Sequence, residues 1–273
     1  MITSRRNFLA TMAAGAALKA HAPHAGSLRK IGLQLYTVRA LLQADFEGTL
    51  TNIAQLGYRE VEFAGMLGPD VQQTRKLLER LNLAAPSLHS DYPTLRQNPK
   101  LAFDTAMAVG ASFVVCPWLD QPERQTVDDL KRVCDNLNSI GEQALRSGLT
   151  LAYHNHDFEF ASLADGITPF DVLLSRTDER YVKFELDVYW AKKGNVDPAG
   201  LLNAHASRFY LVHLKDMAPD GSFTEVGSGV LNFADIMAAL SAGCVRHSFV
   251  EQDVSPDPMQ SIETSIAYLR RYR

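Results

Sequence analysis

LTLAYHNH, at residues 149–156, is an apolar run that ends in two histidines one residue apart. Three later runs also end in a side chain that can bind a metal: VKFELD (182–187), FYLVH (209–213) and SFVE (248–251). Short apolar runs of this kind predict buried β-strands. Because the C-terminal ends of parallel strands meet at one mouth of a β/α barrel, these polar ends should converge. The sequence therefore predicts a metal site at the ends of four strands.

The rest of the chain completes a β/α pattern. Helix-like stretches, such as 124–147, separate eight strand-like runs, and several of them end at a glycine that can adopt a left-handed cap: Gly57, Gly110, Gly148 and Gly243. The runs are 30–38, 60–65, 85–91, 113–119, 149–156, 181–190, 209–217 and 247–254. Eight strands that alternate with helices predict an α/β fold, a single (β/α)8 TIM barrel over residues 27–273.

Alternation along a strand sorts side chains into inward and outward sets. The run 181–190 then has an apolar face toward the helices and a polar face toward the barrel interior, made of Lys183, Glu185, Asp187 and Tyr189. The same alternation turns His154 and His156 inward together. Inward polar groups are costly without partners, so we expect them to share one space.

The N-terminal segment, residues 1–26, has the order of an export signal. Arg5 and Arg6 precede a short Ala-rich apolar stretch and the small-residue site Ala20-His21-Ala22. This order resembles a bacterial twin-arginine signal peptide, and the apolar stretch is too short for a stable membrane anchor. We therefore expect a periplasmic or otherwise exported protein.

The composition and charge of the chain limit the classes of partner that it can bind. The formal net charge of the 273-residue chain is −4 at pH 7, and no Lys/Arg stripe of the kind that nucleic-acid binding needs is present. We therefore expect a small-molecule substrate and no nucleic acid. The sequence leaves the oligomeric state open, with a homo-oligomer as one alternative.

Four segments carry a resemblance to a known family. YHNHDFEF (153–160), ELDVYW (185–190), HLKD (213–216) and VEQD (250–253) resemble the xylose isomerase-like barrel superfamily, in the branch called sugar phosphate isomerases/epimerases. The resemblance covers nearly all of the chain after residue 26. It implies a Glu-Asp-His-Glu metal set, sugar or ketose substrates, and proton-transfer chemistry.

Carried over by position, the resemblance makes Asp187, His213 and Glu251 the metal ligands of strands six, seven and eight. Relatives usually place a glutamate within strand five, roughly where His154 stands. Either Glu159 folds back from the loop to replace it, or His154 binds the metal directly; we favour Glu159. A hard set of carboxylates with an imidazole suits Mn²⁺, with Zn²⁺, Co²⁺ or Mg²⁺ as alternatives.

The other candidate site residues concern proton transfer and substrate binding. Glu159 and Glu251 are the predicted pair of catalytic carboxylates, with His154 or His156 as an alternative base. Lys215 is expected to polarise a carbonyl or stabilise an enediolate, although a rim lysine paired with an acid is a competing interpretation. The predicted sugar contacts lie at or near the ends of strands two, three and four: Glu62, His89 and Trp118.

These residues favour a metal-dependent sugar isomerase or epimerase that acts through an enediolate on a free or oxidised (keto) sugar. The alternative is elimination, as in an inosose dehydratase or a 3-keto-glycoside lyase, which the HNH stretch and the VEQD ending also resemble. A metal-dependent abasic-site endonuclease would need a basic DNA surface that this chain lacks. A non-catalytic sugar-binding protein would not need a metal, so metal content separates it from the enzyme.

Overall fold

A computed structural model describes residues 30–68, 70–163 and 166–272, and eight of its strands close into a parallel barrel. The strands in chain order are β1 (Gly32–Gln34), β2 (Glu60–Phe63), β3 (Ala84–His89), β4 (Phe113–Cys116), β5 (Thr150–His154), β6 (Val182–Asp187), β7 (Phe209–Leu214), β8 (Asp216–Met217), β9 (Phe223–Thr224) and β10 (His247–Val250). Around the barrel they follow the order β1-β10-β7-β6-β5-β4-β3-β2, while β8 and β9 form a separate antiparallel hairpin. The predicted (β/α)8 barrel is confirmed.

Helices surround the barrel and bury their apolar sides against it. They are α1 (Arg39–Ala44), α2 (Phe46–Leu56), α3 (Val71–Arg80), α4 (Tyr92–Gln97), α5 (Pro99–Val109), α6 (Val127–Arg146), α7 (Pro169–Arg176), α8 (Val188–Lys193), α9 (Pro198–Ala204), α10 (Phe233–Ala242) and α11 (Pro258–Leu269). The predicted helix 124–147 corresponds to α6, which begins with a capping box at Thr126. Gly57 and Gly110 end α2 and α5 in the left-handed region, as predicted, whereas Gly243 is extended, with φ −94°.

Each of the eight barrel strands lies within or across its predicted run, but most are shorter, and β9 was not predicted. The largest difference follows Asp187, where β6 ends and α8 begins directly at Val188. The predicted alternation therefore fails for Tyr189 and Trp190, which lie on a helix. An apolar run of a few residues does not distinguish a strand from the first turn of a helix.

The barrel interior has two layers. The layer at the N-terminal ends of the strands is apolar and fully packed, and it contains Phe113, Val115, Ala152, Leu211 and Phe249. A second, larger apolar core lies between the strands and the helices. Burial of each large apolar side chain contributes roughly 1.5–3 kcal/mol to folding. The predicted metal ligands lie above the apolar layer, at the C-terminal mouth of the barrel, whereas Glu60 and His247 form an ion pair at the opposite end of the strands.

Within the described residues, no helix combines the length and the apolar character that a bilayer crossing requires. The predicted export signal, residues 1–26, lies outside the described residues.

Candidate active site

Strand register brings three of the predicted ligands together. Asp187 on β6 pairs with His213 on β7, and His213 pairs with Phe249 on β10, two residues before Glu251. Ligand atoms of Asp187, His213 and Glu251 lie within 4.8 Å of one another, and all three residues are buried. The structure thus places these side chains at one point of the mouth, and their role as ligands remains a prediction.

The end of β6 fixes the orientation of Asp187. Its Oδ1 accepts a hydrogen bond from the backbone N–H of Trp190 (2.9 Å) and caps α8. The side-chain oxygen of Asn155 accepts from the backbone N–H of Asp187 at 3.1 Å, which ties the end of β5 to the end of β6. Asp187 Oδ2 has no hydrogen bond but lies 3.0 Å from the Lys215 ammonium. One carboxylate oxygen is therefore held by the backbone, and the other faces a side-chain cation.

A network of carboxylates and imidazoles lies beneath these residues. His213 Nε2 is 2.6 Å from Glu62 Oε2 and 3.2 Å from Glu185 Oε2, while His213 Nδ1 is 3.0 Å from Glu251 Oε2. His89 lies 2.9 Å from Glu185, and the Gln34 amide donates to Glu62 at 2.7 Å. Since every partner is buried, this network sets the position of the His213 ring.

Lys215 supplies the positive charge next to the predicted ligands. Its Nζ lies 3.0 Å from Asp187 Oδ2, 2.7 Å from Glu251 Oε2 and 2.6 Å from Asp253 Oδ1. The side chain is almost fully buried and lines the cavity at the mouth. The structure thus places Lys215 in the site, in contact with carboxylates.

Glu159 does not join the group that the sequence analysis assigned to it. Its Oε1 accepts a hydrogen bond from the Tyr153 hydroxyl at 2.5 Å, and its Oε2 accepts from the backbone N–H of His156 at 2.8 Å. Tyr153 packs in the layer between strands and helices, so Glu159 is turned away from the mouth. This orientation argues against Glu159 as a ligand or base and favours the alternative, His154.

His154 and His156 both face the mouth. His154 Nδ1 lies 3.1 Å from Glu185 Oε2, and its Nε2 lies 3.9 Å from Asp187 Oδ2. His156 lines the cavity, and its Nδ1 is buried without a hydrogen bond. Of the two, His154 is the closer to Asp187 and His156 is the one with a free nitrogen.

The predicted sugar contacts occupy different depths. Trp118 and His89 line the cavity, whereas Glu62 is fully buried below it and bonded to His213. Direct contact with a sugar requires an accessible surface that Glu62 lacks. The structure places Glu62 among the groups that orient His213.

Burial and pairing move the pKa values of the carboxyl groups in opposite directions. Burial raises the pKa of Asp187 to about 6, despite the nearby Lys215 ammonium. Burial also opposes ionisation of Glu251, but Lys215 and His213 outweigh it and hold its pKa well below the ordinary value. Burial and Glu62 raise the pKa of Glu185, but His213 and His154 bring it down to about 2. The paired carboxylates are therefore ionised.

The imidazoles divide into two classes. Burial lowers the pKa of His154 well below its ordinary value, and burial together with Lys215 lowers the pKa of His156 to about 3. Burial acts in the same direction on His213, but Glu185, Glu251 and Glu62 raise its pKa well above the ordinary value. His154 and His156 are thus neutral and His213 is protonated, and binding of a metal to His213 would require loss of that proton.

The donor groups at the mouth fit a divalent metal. A second set, His89, His154, Glu185 and His213, has ligand atoms within 4.8 Å and shares His213 with the first set. Glu185 Oε1, in the second set, is buried without a hydrogen bond, whereas Asp187 Oδ2, in the first set, already lies 3.0 Å from the Lys215 ammonium. Buried acceptors of this kind are costly unless a cation or a donor meets them. The cluster therefore suggests a divalent metal, held by oxygen and imidazole ligands.

A cavity of about 900 Å³ opens above the cluster. His154, His156, Lys215 and Glu251 line its floor. The ring of Trp118 stands edge-on to His156, with 4.7 Å between ring centroids. A small molecule in this cavity can therefore reach Glu251, both neutral imidazoles and the indole rings of Trp118 and Trp190.

Sequence reasoning missed four residues of this site. Gln34 and Asn155 orient Glu62 and Asp187 through hydrogen bonds, and Asp157 and Asp253 line the cavity. Only Asp253 carried a signal, because it shares the inward side with Glu251. Asn155 stands between two histidines, where simple alternation would turn it outward, and its contact depends on the bend of the chain after β5.

Comparison with known proteins agrees with this geometry. The family model of the xylose isomerase-like TIM barrel matches residues 50–272. An inosose dehydratase of Clostridium beijerinckii is 26% identical over 233 residues, which cover 71% of this chain and 77% of that protein. A crystal structure of a sugar phosphate isomerase/epimerase from Parabacteroides distasonis superposes with a TM-score of 0.80 and 27% identity, over 94% of this chain and 97% of the other.

A second similar structure contains a metal. The IolI protein with a bound zinc atom has a TM-score of 0.71 and 14% identity, over 89% of this chain and 99% of that one, which is a likeness of fold. The family match agrees with the closed barrel and with the polar cluster at its mouth. This chain belongs to the xylose isomerase-like TIM barrel family.

Proposed function

We propose that this protein is a metal-dependent enzyme that removes the proton next to the carbonyl of a keto sugar or cyclic keto polyol, and so isomerises or epimerises it. The observation that carries the proposal is the group of Asp187, His213 and Glu251 beside Lys215, at the floor of a cavity large enough for a sugar. His154 is the fourth ligand in this proposal, in the place first expected for Glu159. The hard donor set favours Mn²⁺, with Zn²⁺, Co²⁺ or Mg²⁺ as alternatives.

The protein groups around the substrate can move a proton. When bound, a divalent metal would offset the negative charge that develops on substrate oxygens. Glu251 directly follows β10 and offers a carboxylate on one side of the cavity, where the Lys215 ammonium 2.7 Å away stabilises negative charge. The loop after β5 offers the neutral ring of His156, which lines the cavity, on another side. An epimerase needs acid and base groups on two sides of one carbon, and these residues supply them.

The cavity favours a substrate without phosphate. Among the described residues that line it, Lys215 is the only lysine or arginine. Its ammonium already contacts three carboxylates, so it offers little to a phosphate dianion. A free or oxidised sugar fits this lining better than a sugar phosphate.

Export is part of the proposal because phosphorylated sugars are mostly cytoplasmic, while free sugars are available outside. Arg5 and Arg6 motivate it. Replacement of both arginines by lysine should leave the precursor in the cytoplasm, as fractionation and blotting would reveal. Normal export and processing of the double variant would contradict a twin-arginine signal.

Elimination is the second candidate, and the similarity to inosose dehydratases favours it. The orientation of Glu159 also favours it, because the second carboxylate of the expected epimerase pair does not face the cavity. A lyase needs one base at the α-carbon and a group that assists departure from the β-carbon. Glu251 and Lys215 could serve in these two roles.

The test is proton exchange followed by NMR. The metal-loaded protein is incubated in D₂O with a panel of free sugars, keto sugars and inososes. We expect deuterium at the carbon next to the carbonyl, with an epimer or isomer as the product; an unsaturated product would indicate the lyase. Turnover without deuterium in substrate or product would contradict enolisation by an exchangeable base.

A further inference from the structure

The cavity above the cluster is much larger than one sugar ring. It measures about 900 Å³. At about 30 Å³ for each non-hydrogen atom, the share of one water molecule in the liquid, a hexose fills roughly 360 Å³. More than half of the space therefore remains for another group.

The cavity has two halves that different strands build. The loops after β5, β6, β7 and β10 supply the polar half, with His156, Trp190, Lys215 and Glu251. The segments after β2, β3 and β4 supply the other half, which we call the apolar half: Leu67, Leu88, Leu101, Ala102, Pro117 and Trp118. Because β2, β3 and β4 are consecutive around the barrel, the apolar half occupies one side of the mouth.

The polar residues that line the same side are His89, Ser90, Asp91, Thr94 and Thr105, and the hydroxyls of Thr94 and Thr105 are already engaged. The Thr105 hydroxyl donates to the backbone carbonyl of Leu101 at 2.7 Å, and the Thr94 hydroxyl donates to Asp91 at 2.9 Å. On the polar side, His156 Nδ1 and Trp190 Nε1 are buried without partners. A second sugar in the apolar half would bury hydroxyls that find few donors, at a cost in affinity.

Apolar surface is exposed in that half and held in place. Trp118 is 42% exposed, although its Nε1 donates to Asp120 at 3.2 Å and its ring packs edge-on against Phe158 at 4.8 Å. Leu101, near the start of α5, is 55% exposed. A fixed indole face beside exposed aliphatic groups is suited to a flat apolar ligand.

We infer that the apolar half binds an aromatic group attached to the sugar, so that the substrate is a glycoside with an aromatic aglycone. The inference rests on the proposed function, because the polar half must bind the sugar for the aglycone to reach Trp118 and Leu101. It assigns specificity for the aglycone to residues that make no contact with the predicted ligands.

Calorimetry on the full, Mn²⁺-loaded chain tests this inference. The probes are methyl and phenyl glycosides of glucose and galactose, with cellobiose and lactose as the corresponding disaccharides. We expect a phenyl glycoside to bind about tenfold or more tightly than its methyl counterpart, as burial of one phenyl group predicts. The disaccharide should gain little over the methyl glycoside.

Substitutions test whether the preference for phenyl glycosides depends on the apolar half. Leu101→Asp and Trp118→Ala should bring the affinity for the phenyl glycoside close to that for the methyl glycoside. Leu145→Asp is the matched control, since Leu145 on α6 is 54% exposed but lies away from the cavity, and it should retain the preference. Circular dichroism of each variant checks that the barrel is folded.

The outcomes separate this inference from the proposed function. Equal affinities for the phenyl and methyl glycosides, no binding of any phenyl glycoside, or an equal gain with the disaccharide would each overturn the aromatic site. A preference for phenyl that Leu101→Asp and Trp118→Ala leave intact would overturn it as well. A preference that depends on both residues supports it, even if deuterium exchange fails and the proposed reaction is wrong.

Discussion

The two layers of the barrel interior are built by the same strands. On β5 and β7, Ala152 and Leu211 lie in the packed lower layer, and His154 and His213 lie two residues later in the polar layer. After β10 the same step leads from Phe249 to Glu251. A step of two keeps each side chain on the inward face and moves it toward the mouth. One alternation therefore supplies both the stability of the barrel and its chemistry.

The layers differ in what substitutions should cost. The lower layer gains free energy from close packing of apolar groups. The upper layer holds buried charges whose desolvation largely offsets their mutual attraction. Loss of a lower-layer side chain should therefore reduce mainly the stability of the fold. Loss of an upper-layer side chain should reduce activity more than stability.

Glu251→Gln should have the largest effect. It preserves size but removes the proposed base, so we expect kcat to fall by about 10²–10⁴-fold. Thermal stability should fall as well, because Lys215 and His213 lose a buried charged partner. If the enzyme is an epimerase, Glu251→Gln or His156→Asn should still introduce deuterium from the intact side. Unchanged kcat in Glu251→Gln would remove Glu251 from the mechanism. Val254→Ala, at a 66% exposed position nearby, is the control.

Phe249→Ala should affect stability instead. Truncation of a fully buried phenylalanine usually costs about 3–5 kcal/mol of unfolding free energy. Denaturant unfolding of the variant and of Val254→Ala measures the difference. A cost below about 1 kcal/mol would show that the lower layer does not carry the stability that its packing indicates.

Much of the division between a packed lower layer and a polar upper layer was predictable from the sequence. The apolar runs with polar ends predicted all eight strands and placed Asp187, His213 and Glu251 together, because alternation and strand direction are local properties. The depth of Glu62 and the orientation of Glu159 were not predictable. Both depend on contacts with distant residues, His213 for Glu62 and the packed ring of Tyr153 for Glu159.

The end of β6 is another place where prediction from the sequence failed. The sequence continued the strand through Trp190, but Asp187 caps a helix there by accepting from the Trp190 N–H. Aspartate is a favoured helix cap, so a signal was present. The apolar residues that follow masked it, because they also fit a strand.

Glu159→Gln should have a smaller, pH-dependent effect. Burial raises the pKa of Glu159 from 4.5 to about 7, although Tyr153 and the His156 N–H donate to its carboxylate. Ionisation in the folded state therefore costs free energy that is absent below about pH 4.5 and complete above about pH 7. Within this window, the wild type should lose stability relative to Glu159→Gln by up to about 1.4 kcal/mol per pH unit. Urea unfolding at several pH values measures this, and a constant difference would contradict it.

Metal stoichiometry tests the central claim, that the upper layer holds a divalent ion. Wild type, Asp187→Ala, His213→Ala and Glu159→Gln are stripped with chelator, reloaded with Mn²⁺, desalted and analysed by elemental mass spectrometry. We expect about one equivalent in wild type and Glu159→Gln, and strong depletion in Asp187→Ala and His213→Ala with the barrel still folded, because the removed groups lie above the packed layer. Stoichiometric metal in both Asp187→Ala and His213→Ala would contradict the site.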